Sequence, residues 1–170
     1  MFSAALRPLR RLVQVFLAHD ASNQLALGFA LGMLLGLVPK GNLIALSLFV
    51  LLFSLRVNRG VAFLAALAFA WIGPALDPFA DRLGAYLLSA STLQPTYASL
   101  YRLPLAPWSD FNNTVVLGSL AIGLWAMYPA YWLCYRAFEW NRLRRHEAAA
   151  TRFRVIDPFD VDEPVDRRAA

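Results

Sequence analysis

The chain has 170 residues, of which 59% are hydrophobic and only 16% are charged, and its mean hydropathy is +0.49. An ordinary soluble domain carries about 25% charged residues, so this composition excludes that class. The pI near 9.9 does not indicate nucleic-acid binding, because the arginines flank apolar segments, where membrane topology places them. Composition therefore predicts a small all-α integral membrane protein.

Residues 1–19 predict an amphipathic helix that lies in the membrane interface. Apolar residues recur there at helical spacing, whereas the opposite face carries Arg7, Arg10 and Arg11. A basic face opposite a Phe- and Leu-rich face suits a helix on anionic lipids. A signal peptide is the alternative, but the arginines interrupt its apolar region and no convincing cleavage site follows.

A membrane domain over residues 20–140 begins with a helical hairpin, 24–55. Its apolar arms, 24–38 and 43–55, contain 15 and 13 residues, whereas a straight span of the hydrocarbon core needs about 20. The turn Pro39-Lys40-Gly41-Asn42 joins them. The sequence leaves open whether the hairpin re-enters the bilayer or crosses a locally thinned one.

Two further spans follow the hairpin. The first is predicted over residues 60–76 and the second over 114–135, with an external segment, 77–113, that is rich in turn signals. Broken-helix turns are predicted at four positions: Pro39, Pro74, Asp77 and Pro78. Residues 141–170 are charged and poor in apolar residues, which predicts a largely disordered cytoplasmic tail.

The arginines predict the orientation. They cluster before the hairpin, directly after it at Arg56 and Arg59, and again from Arg136 onward, whereas 77–113 carries three aspartates against two arginines. Because cytoplasmic loops are rich in Arg and Lys, both termini are predicted to be cytoplasmic.

Lys40 is the strongest candidate for a binding residue, because an ionised lysine in mid-membrane costs about 3 kcal/mol. It persists there only if it lines a wet cavity, pairs with an anion or snorkels; alternatively, it emerges at the far interface. The candidate lipid- or anion-binding residues are Lys40, Gly41, Asn42, Arg56, Asn58 and Arg59. For Arg56, Asn58 and Arg59 the ordinary interpretation is a topology signal, and head-group binding is its alternative. Asp77, if buried, is predicted to pair with Lys40 or Arg82.

Small residues form two stripes at helical spacing. Gly28, Gly32 and Gly36 mark the first hairpin helix, and Ala62, Ala66 and Ala70 mark the 60–76 helix. Helices in lipid approach closely at such residues. The stripes indicate either packing within the chain or an interface with a partner.

No catalytic or metal site is predicted. The sequence contains no paired-carboxylate site, no nucleophile set and no phosphate- or dinucleotide-binding motif. Cys134 is the only cysteine, and His19 and His146 lie far apart, which makes a metal site improbable. We expect a non-enzymatic protein without cofactors.

The chain resembles the domain of unknown function 2062 group of bacterial membrane proteins. The resemblance rests, over residues 20–95, on the Gly-rich run 27–32, the Pro39-x-Gly41 turn, Arg56-x-Asn58 and the proline-broken GPALDP stretch. Longer strings such as LGFALGMLLGLVPKGN resemble a narrower subgroup of bacteria with outer membranes, encoded beside a larger envelope protein. Lys40 and Asn42 depart from the wider group, which more often has aromatic residues or Gln there.

This resemblance implies a location, the bacterial inner membrane, and a partner, but no reaction. The leading hypothesis is a subunit that docks the larger envelope protein and takes part in phospholipid transport towards the outer membrane, with Lys40 near the lipid path. A self-contained channel or small-solute transporter, built as a homo-oligomer, is the first alternative. A membrane scaffold is the second. Membrane lipids are expected partners of all three.

Overall fold

The computed structural model describes the backbone of residues 21–155 and the side chains of residues 21–144. The predicted interfacial helix, 1–19, and the segment 156–170 lie outside the described residues. Within the described range the chain forms α-helices and no strands, as the all-α class predicts: α1 Ser22–Leu37, α2 Leu43–Ser54, α3 Arg59–Ser89, α4 Gln94–Leu100 and α5 Thr114–Val155. Two 3-10 turns, Ser91–Leu93 and Ala106–Ser109, flank α4.

The bundle consists of α1, α3 and α5, which pack against one another. Helix α1 is apolar all round and most of its residues are buried, as expected of a helix enclosed by its neighbours. Helix α2 lies on the outside and buries only Ala45 and Leu52. The predicted hairpin therefore exists as two helices and a turn, but its first arm packs mainly against α3 and α5 instead of against its second arm.

The glycine contacts give the direction of each helix. Going along α1, Gly28 faces Asn58 and Gly36 faces Ala66, so α1 and α3 run in parallel. Gly84 of α3 faces Thr114, and Gly118 faces Ala80, so α5 runs antiparallel to α3. Helix α2 carries the chain back from the end of α1 to the start of α3.

Two hydrogen bonds mark one end of the bundle. The Tyr131 hydroxyl donates to Oδ1 of Asn23 (2.6 Å), and the backbone N–H of Asn58 donates to the carbonyl of Gln24 (3.3 Å). The starts of α1 and α3 and the middle of α5 therefore meet there. We call this the arginine-rich end, because Arg56, Arg59, Arg136, Arg142 and Arg144 lie at it or on the part of α5 that continues from it.

The predicted helix 60–76 was too short. Helix α3 continues through Pro74 and Pro78 to Ser89, so Asp77 lies in a helix and the connection outside the long helices is only 90–113. A proline removes one helical hydrogen bond, but neighbouring helices compensate for that loss in membrane bundles. Here Ala80 and Gly84 lie buried against α5, and this packing holds the helix together past both prolines.

The prediction of a disordered tail was also wrong for residues 141–155. Helix α5 extends 20 residues beyond the predicted span 114–135, as far as Val155, and contains Pro129. Its extension is rich in Arg, Glu and Ala, which favour helices in water as well as at an interface. High charge did not prevent this segment from forming a helix.

Two helices are long and apolar enough to cross a membrane, judged by length and composition: Arg59–Ser89 and Thr114–Arg144. Only 22% of each apolar window is buried within the chain. Large side chains point outward, with Trp71 84% exposed on α3 and Trp125 81% exposed on α5. An apolar surface of this extent agrees with the membrane class that composition predicts.

Candidate functional site: the hairpin turn and its groove

Lys40 caps the C-terminal end of α1. Its Nζ donates hydrogen bonds to the carbonyl oxygens of Leu35 (2.8 Å), Gly36 (2.9 Å) and Val38 (2.6 Å). Leu35 and Gly36 lie in the last turn of α1 and Val38 is its C-cap, and carbonyls at a helix end lack helical backbone partners. The cation also lies at the negative end of the helix dipole. Lys40 therefore satisfies polar backbone groups that would be costly in apolar surroundings.

Lys40 is also the only lysine in the chain, beside 15 arginines. An ammonium group has three donors arranged around one atom, whereas the donors of a guanidinium lie in one plane. Three carbonyls that converge on one point require the first geometry. This explains why a lysine stands at a position where an otherwise arginine-rich chain could have used arginine.

Gly41 and Asn42 complete the turn. Gly41 has φ of 99°, in the left-handed region that favours glycine. Asn42 is buried; its Oδ1 accepts from the N–H of Ala45 (2.8 Å) as the N-cap of α2, and its Nδ2 donates to the Pro39 carbonyl (2.9 Å). Pro39 lies in this turn, as predicted. The side chains of Lys40 and Asn42 thus both hydrogen-bond to backbone groups of the turn and of the adjoining helix ends.

The predicted anion site at Lys40, Gly41 and Asn42 therefore has a different primary role. The structure uses all three ammonium donors and the Asn42 amide within the chain. Lys40 nevertheless remains an exposed side chain that carries a positive charge. It can attract an anion electrostatically, but a direct hydrogen bond from Nζ to that anion would compete with the helix cap.

The three candidate binding residues at the arginine-rich end, Arg56, Asn58 and Arg59, have different surroundings in the structure. Asn58 is buried and its Oδ1 accepts from the N–H of Val61 (2.7 Å) as the N-cap of α3. Arg59 lies over the Phe53 ring (5.1 Å) and donates to the Phe53 carbonyl (3.4 Å). Arg56 is exposed, and among the described residues the structure gives its side chain no hydrogen bond or ion pair. Arg56 alone stays available for a head group.

The two small-residue stripes pack against each other. A Cβ on Gly28 would lie 2.7 Å from the Asn58 carbonyl, and one on Gly36 would lie 2.7 Å from the Ala66 carbonyl. Ala62 is fully buried, whereas Ala70 lies at the edge of the contact and is exposed. The stripes form the α1–α3 interface inside the chain. A partner helix has no access to the glycines, because α3 already covers them.

Asp77 makes neither of the ion pairs predicted for it. It is half-buried and lines a very small cavity between α1, α3 and α5, together with Leu37 and Ser119. Within the described side chains the structure shows no ion pair between Asp77 and Lys40 or Arg82. Lys40 is occupied by the end of α1, and Arg82 is exposed on the same helix as Asp77.

A groove runs along the outside of the bundle from the hairpin turn. Its volume is about 660 Å³, within the usual range of ligand pockets. Lys40, Gly41 and Asn42 lie at its polar end, and the walls are apolar side chains from α1, α2 and α3: Leu35, Leu43, Ala45, Leu46, Phe49, Phe63, Ala66, Leu67 and Ala70. A long apolar trough with one cationic end is complementary to an amphiphile.

Trp108 closes part of this groove, although it lies far away in the sequence. Its 3-10 turn, Ala106–Ser109, contacts α2. Phe111 anchors the segment, with its ring 4.8 Å from that of Tyr101 and 5.9 Å from that of Tyr97. Sequence reasoning missed Trp108, and only its proline-flanked position in a turn-rich stretch distinguished it. The segment 90–113 therefore folds back onto the hairpin instead of standing apart from it.

Three phenylalanine rings pack together where α2 meets α3, at the other wall of the groove. Phe49 and Phe53 of α2 lie 4.8 Å apart, and both approach Phe63 of α3, at 6.3 and 6.0 Å. Phe49 and Phe63 remain 40% and 48% exposed. The contact between α2 and α3 is therefore narrow, and it leaves the groove open to the side.

Comparison with known proteins identifies the family at this point. Residues 6–147 match the model of an uncharacterised protein family conserved in bacteria, DUF2062. The chain belongs to this family. A protein of Treponema pallidum (strain Nichols), described as uncharacterised, is similar at 34% identity over 126 residues, which cover 74% of this chain and 78% of that protein. No solved structure matches.

The resemblance expected from the sequence is thus confirmed at family level, and over a longer stretch than residues 20–95. The match includes both long helices and most of the α5 extension. The narrower subgroup and the neighbouring envelope protein stay predictions.

Proposed function

We propose that this DUF2062 protein is a non-enzymatic inner-membrane subunit that binds a phospholipid chain in the groove between α2 and α3. In this proposal it docks a larger envelope protein and serves phospholipid transport towards the outer membrane. The observation that carries the proposal is the groove itself, which combines apolar walls, an opening to the side and one cationic end. A phospholipid has the matching distribution of apolar chain and anionic head.

The groove favours the acyl chain over the head group as the main source of affinity. Its walls are almost entirely apolar, and burial of one methylene is worth about 0.8 kcal/mol. The Lys40 ammonium is held in place by three carbonyls, so it contributes a positive charge and not a free donor. We expect this charge to orient the lipid, with its phosphate near the turn.

The hairpin reaches only part of the way along the bundle, which supports a re-entrant geometry. Gly36, near the end of α1, lies beside Ala66, and α3 continues a further 23 residues to Ser89. The turn satisfies its own backbone groups, as a turn inside a bilayer must. With the arginine-rich end in the cytoplasm, both termini are cytoplasmic.

Docking of the envelope protein needs a surface other than the glycine stripe. Gly28, Gly32 and Gly36 are covered by α3 within the chain. The outward faces of α3 and α5 carry exposed aromatic residues, Trp71 and Trp125 among them. These faces are where a second transmembrane helix would find contact area.

Photo-cross-linking tests the lipid proposal. The full chain is reconstituted in phosphatidylcholine–phosphatidylglycerol vesicles that contain a phospholipid with a photoactivatable acyl chain, and labelled peptides are identified by mass spectrometry. Leu67→Trp fills the groove, whereas Leu64→Trp places the same side chain elsewhere on the exposed surface of α3. We expect Leu67→Trp to reduce labelling of α2 several-fold and Leu64→Trp to leave it unchanged.

Two results would contradict the proposal. Equal labelling of α2 in all three proteins would show that lipid does not occupy the groove. Labelling spread evenly over the outward faces of α3 and α5, without enrichment at the groove, would show ordinary solvation by the bilayer.

A further inference from the structure

We infer that the last turn of the α5 span and the helix beyond it bind an anionic phospholipid surface through a ridge of Trp132, Arg136, Trp140 and Arg144. This ridge starts in the last turn of the span 114–135, continues along α5 beyond it, and shares no residue with the groove. The ridge contacts the head-group layer, whereas the groove holds a bound chain.

Spacing and ring contacts define the ridge. Its four residues follow one another at intervals of four, so they lie on one face of the helix. The Arg136 guanidinium lies over the Trp132 ring, 5.4 Å from its centre, and that of Arg144 lies over the Trp140 ring at 4.9 Å. Stacking uses the face of a guanidinium and leaves the N–H groups at its edge free for phosphate oxygens.

The charge around the ridge is unbalanced. Among the described side chains, Glu139 is the only carboxylate beyond Tyr131, and its contact is with Arg142 at 4.0 Å. The described residues provide no carboxylate partner for Arg136 or Arg144. Arg56 is exposed at the same end. Such a cluster of cations is complementary to an anionic leaflet.

Length places the ridge at the depth of the head groups. Thr114–Tyr135 contains 22 residues and spans about 33 Å, enough to cross the hydrocarbon core of about 30 Å. Arg136 then lies at the edge of the core, with Trp140 about 8 Å and Arg144 about 14 Å past Tyr135. The head-group layer is about 5–8 Å thick on each side, so Arg136 and Trp140 lie at its depth, and the long side chain of Arg144 reaches back to the phosphates.

The face of α5 that carries the ridge also exposes large apolar side chains, which need a covering partner. Trp140 is 64% exposed and Leu143 is 52% exposed. Tryptophan favours the membrane–water boundary because its ring is apolar and its N–H is polar. Alternating Arg and Trp suit that boundary better than the apolar contact area of a protein partner.

A fluorescence experiment on the full chain tests the inference. In a Cys134→Ser background, Leu143→Cys carries a bimane fluorophore beside the ridge, and the protein is reconstituted in phosphatidylcholine vesicles with or without phosphatidylglycerol. We expect a blue shift of the emission when phosphatidylglycerol is present, and a loss of the shift at high salt, because salt screens exposed charges.

Matched double variants distinguish binding by the ridge from a general effect of the net charge. Arg136→Gln with Arg144→Gln should abolish most of the shift, whereas Arg82→Gln with Arg102→Gln removes the same charge away from the ridge and should retain it. An equal emission in both kinds of vesicle, or an equal loss in both double variants, overturns the inference. Leu67→Trp should leave the shift unchanged, so failure of the groove proposal is distinguishable from failure here.

Discussion

Gly32 of α1 and Ala62 of α3 pack backbone against backbone, and a Cβ added at Gly32 would collide with the carbonyl group of Ala62. Ala62 itself is completely buried at this contact. The two helices therefore approach as closely as a glycine permits. Dispersion contacts between backbones are the main source of stability for such pairs in lipid.

Gly32→Ala is predicted to destabilise the folded chain. The new methyl group has no space unless α1 and α3 separate, and overpacking of this kind costs about 1–3 kcal/mol. Thermal unfolding in detergent, followed by circular dichroism, should show a lower Tm. Gly73→Ala is the matched control, because the nearest atom to its Cβ would be the Leu37 carbonyl oxygen at 3.9 Å.

The same pair of variants distinguishes the two interpretations of the glycine stripe. We expect Gly73→Ala to have an unchanged or slightly higher Tm, since alanine favours helices over glycine by about 1 kcal/mol. A Gly32→Ala protein with an unaltered Tm that no longer binds a partner would instead restore the partner-interface interpretation.

Lys40→Met is predicted to lower stability through loss of the α1 cap. Three carbonyls lose their common donor, and we expect a cost of about 1–2 kcal/mol. Lys40→Arg should recover only part of it, because a planar guanidinium cannot direct donors at three convergent oxygens. Arg56 is exposed and has no hydrogen bond or ion pair among the described residues, so Arg56→Met should change the Tm little.

Thermal unfolding of these three variants tests the capping role directly. A Tm for Lys40→Met equal to that of the unmodified chain would contradict it. A different pattern would show that the charge serves head-group binding. In that pattern Lys40→Met has unchanged stability but loses lipid labelling, and Lys40→Arg restores the labelling fully.

The depth of the hairpin turn is predicted to be intermediate. Leu46 lies in the first turn of α2 and is 57% exposed within the chain, so only a bilayer can protect it. In a Cys134→Ser background, Leu46→Cys should resist membrane-impermeant thiol reagents from both sides of intact membranes. Arg56→Cys should react from the cytoplasm and Arg102→Cys from the opposite side.

The two reference positions make this experiment decisive for topology. Ready labelling of Leu46→Cys from the side that labels Arg102→Cys would mean that the hairpin crosses the membrane, contrary to the re-entrant proposal. Labelling of Arg56→Cys and Arg102→Cys from the same side would contradict the predicted orientation.

Local chemistry made several features predictable. Two apolar runs around Pro39–Asn42 produced two helices and a turn, and the two stripes of small residues produced a close contact between helices. Each depends on short-range properties of the chain, such as a break at proline or the small size of glycine. By contrast, proline misled the prediction for α3, since packing of Ala80 and Gly84 against α5 outweighed the lost hydrogen bonds at Pro74 and Pro78.

By itself the sequence predicted the membrane class and determined the helical class and the family, because composition, the lengths of apolar runs and short motifs are properties of the chain. The role of Lys40 and the existence of the groove were decided only by the tertiary structure. Nζ of Lys40 could have faced lipid phosphate or a helix end, and the direction of α1 selected the latter. The groove is lined by both Trp108 and Phe63, two residues 45 positions apart that the return of the 90–113 segment onto α2 brings to the same groove.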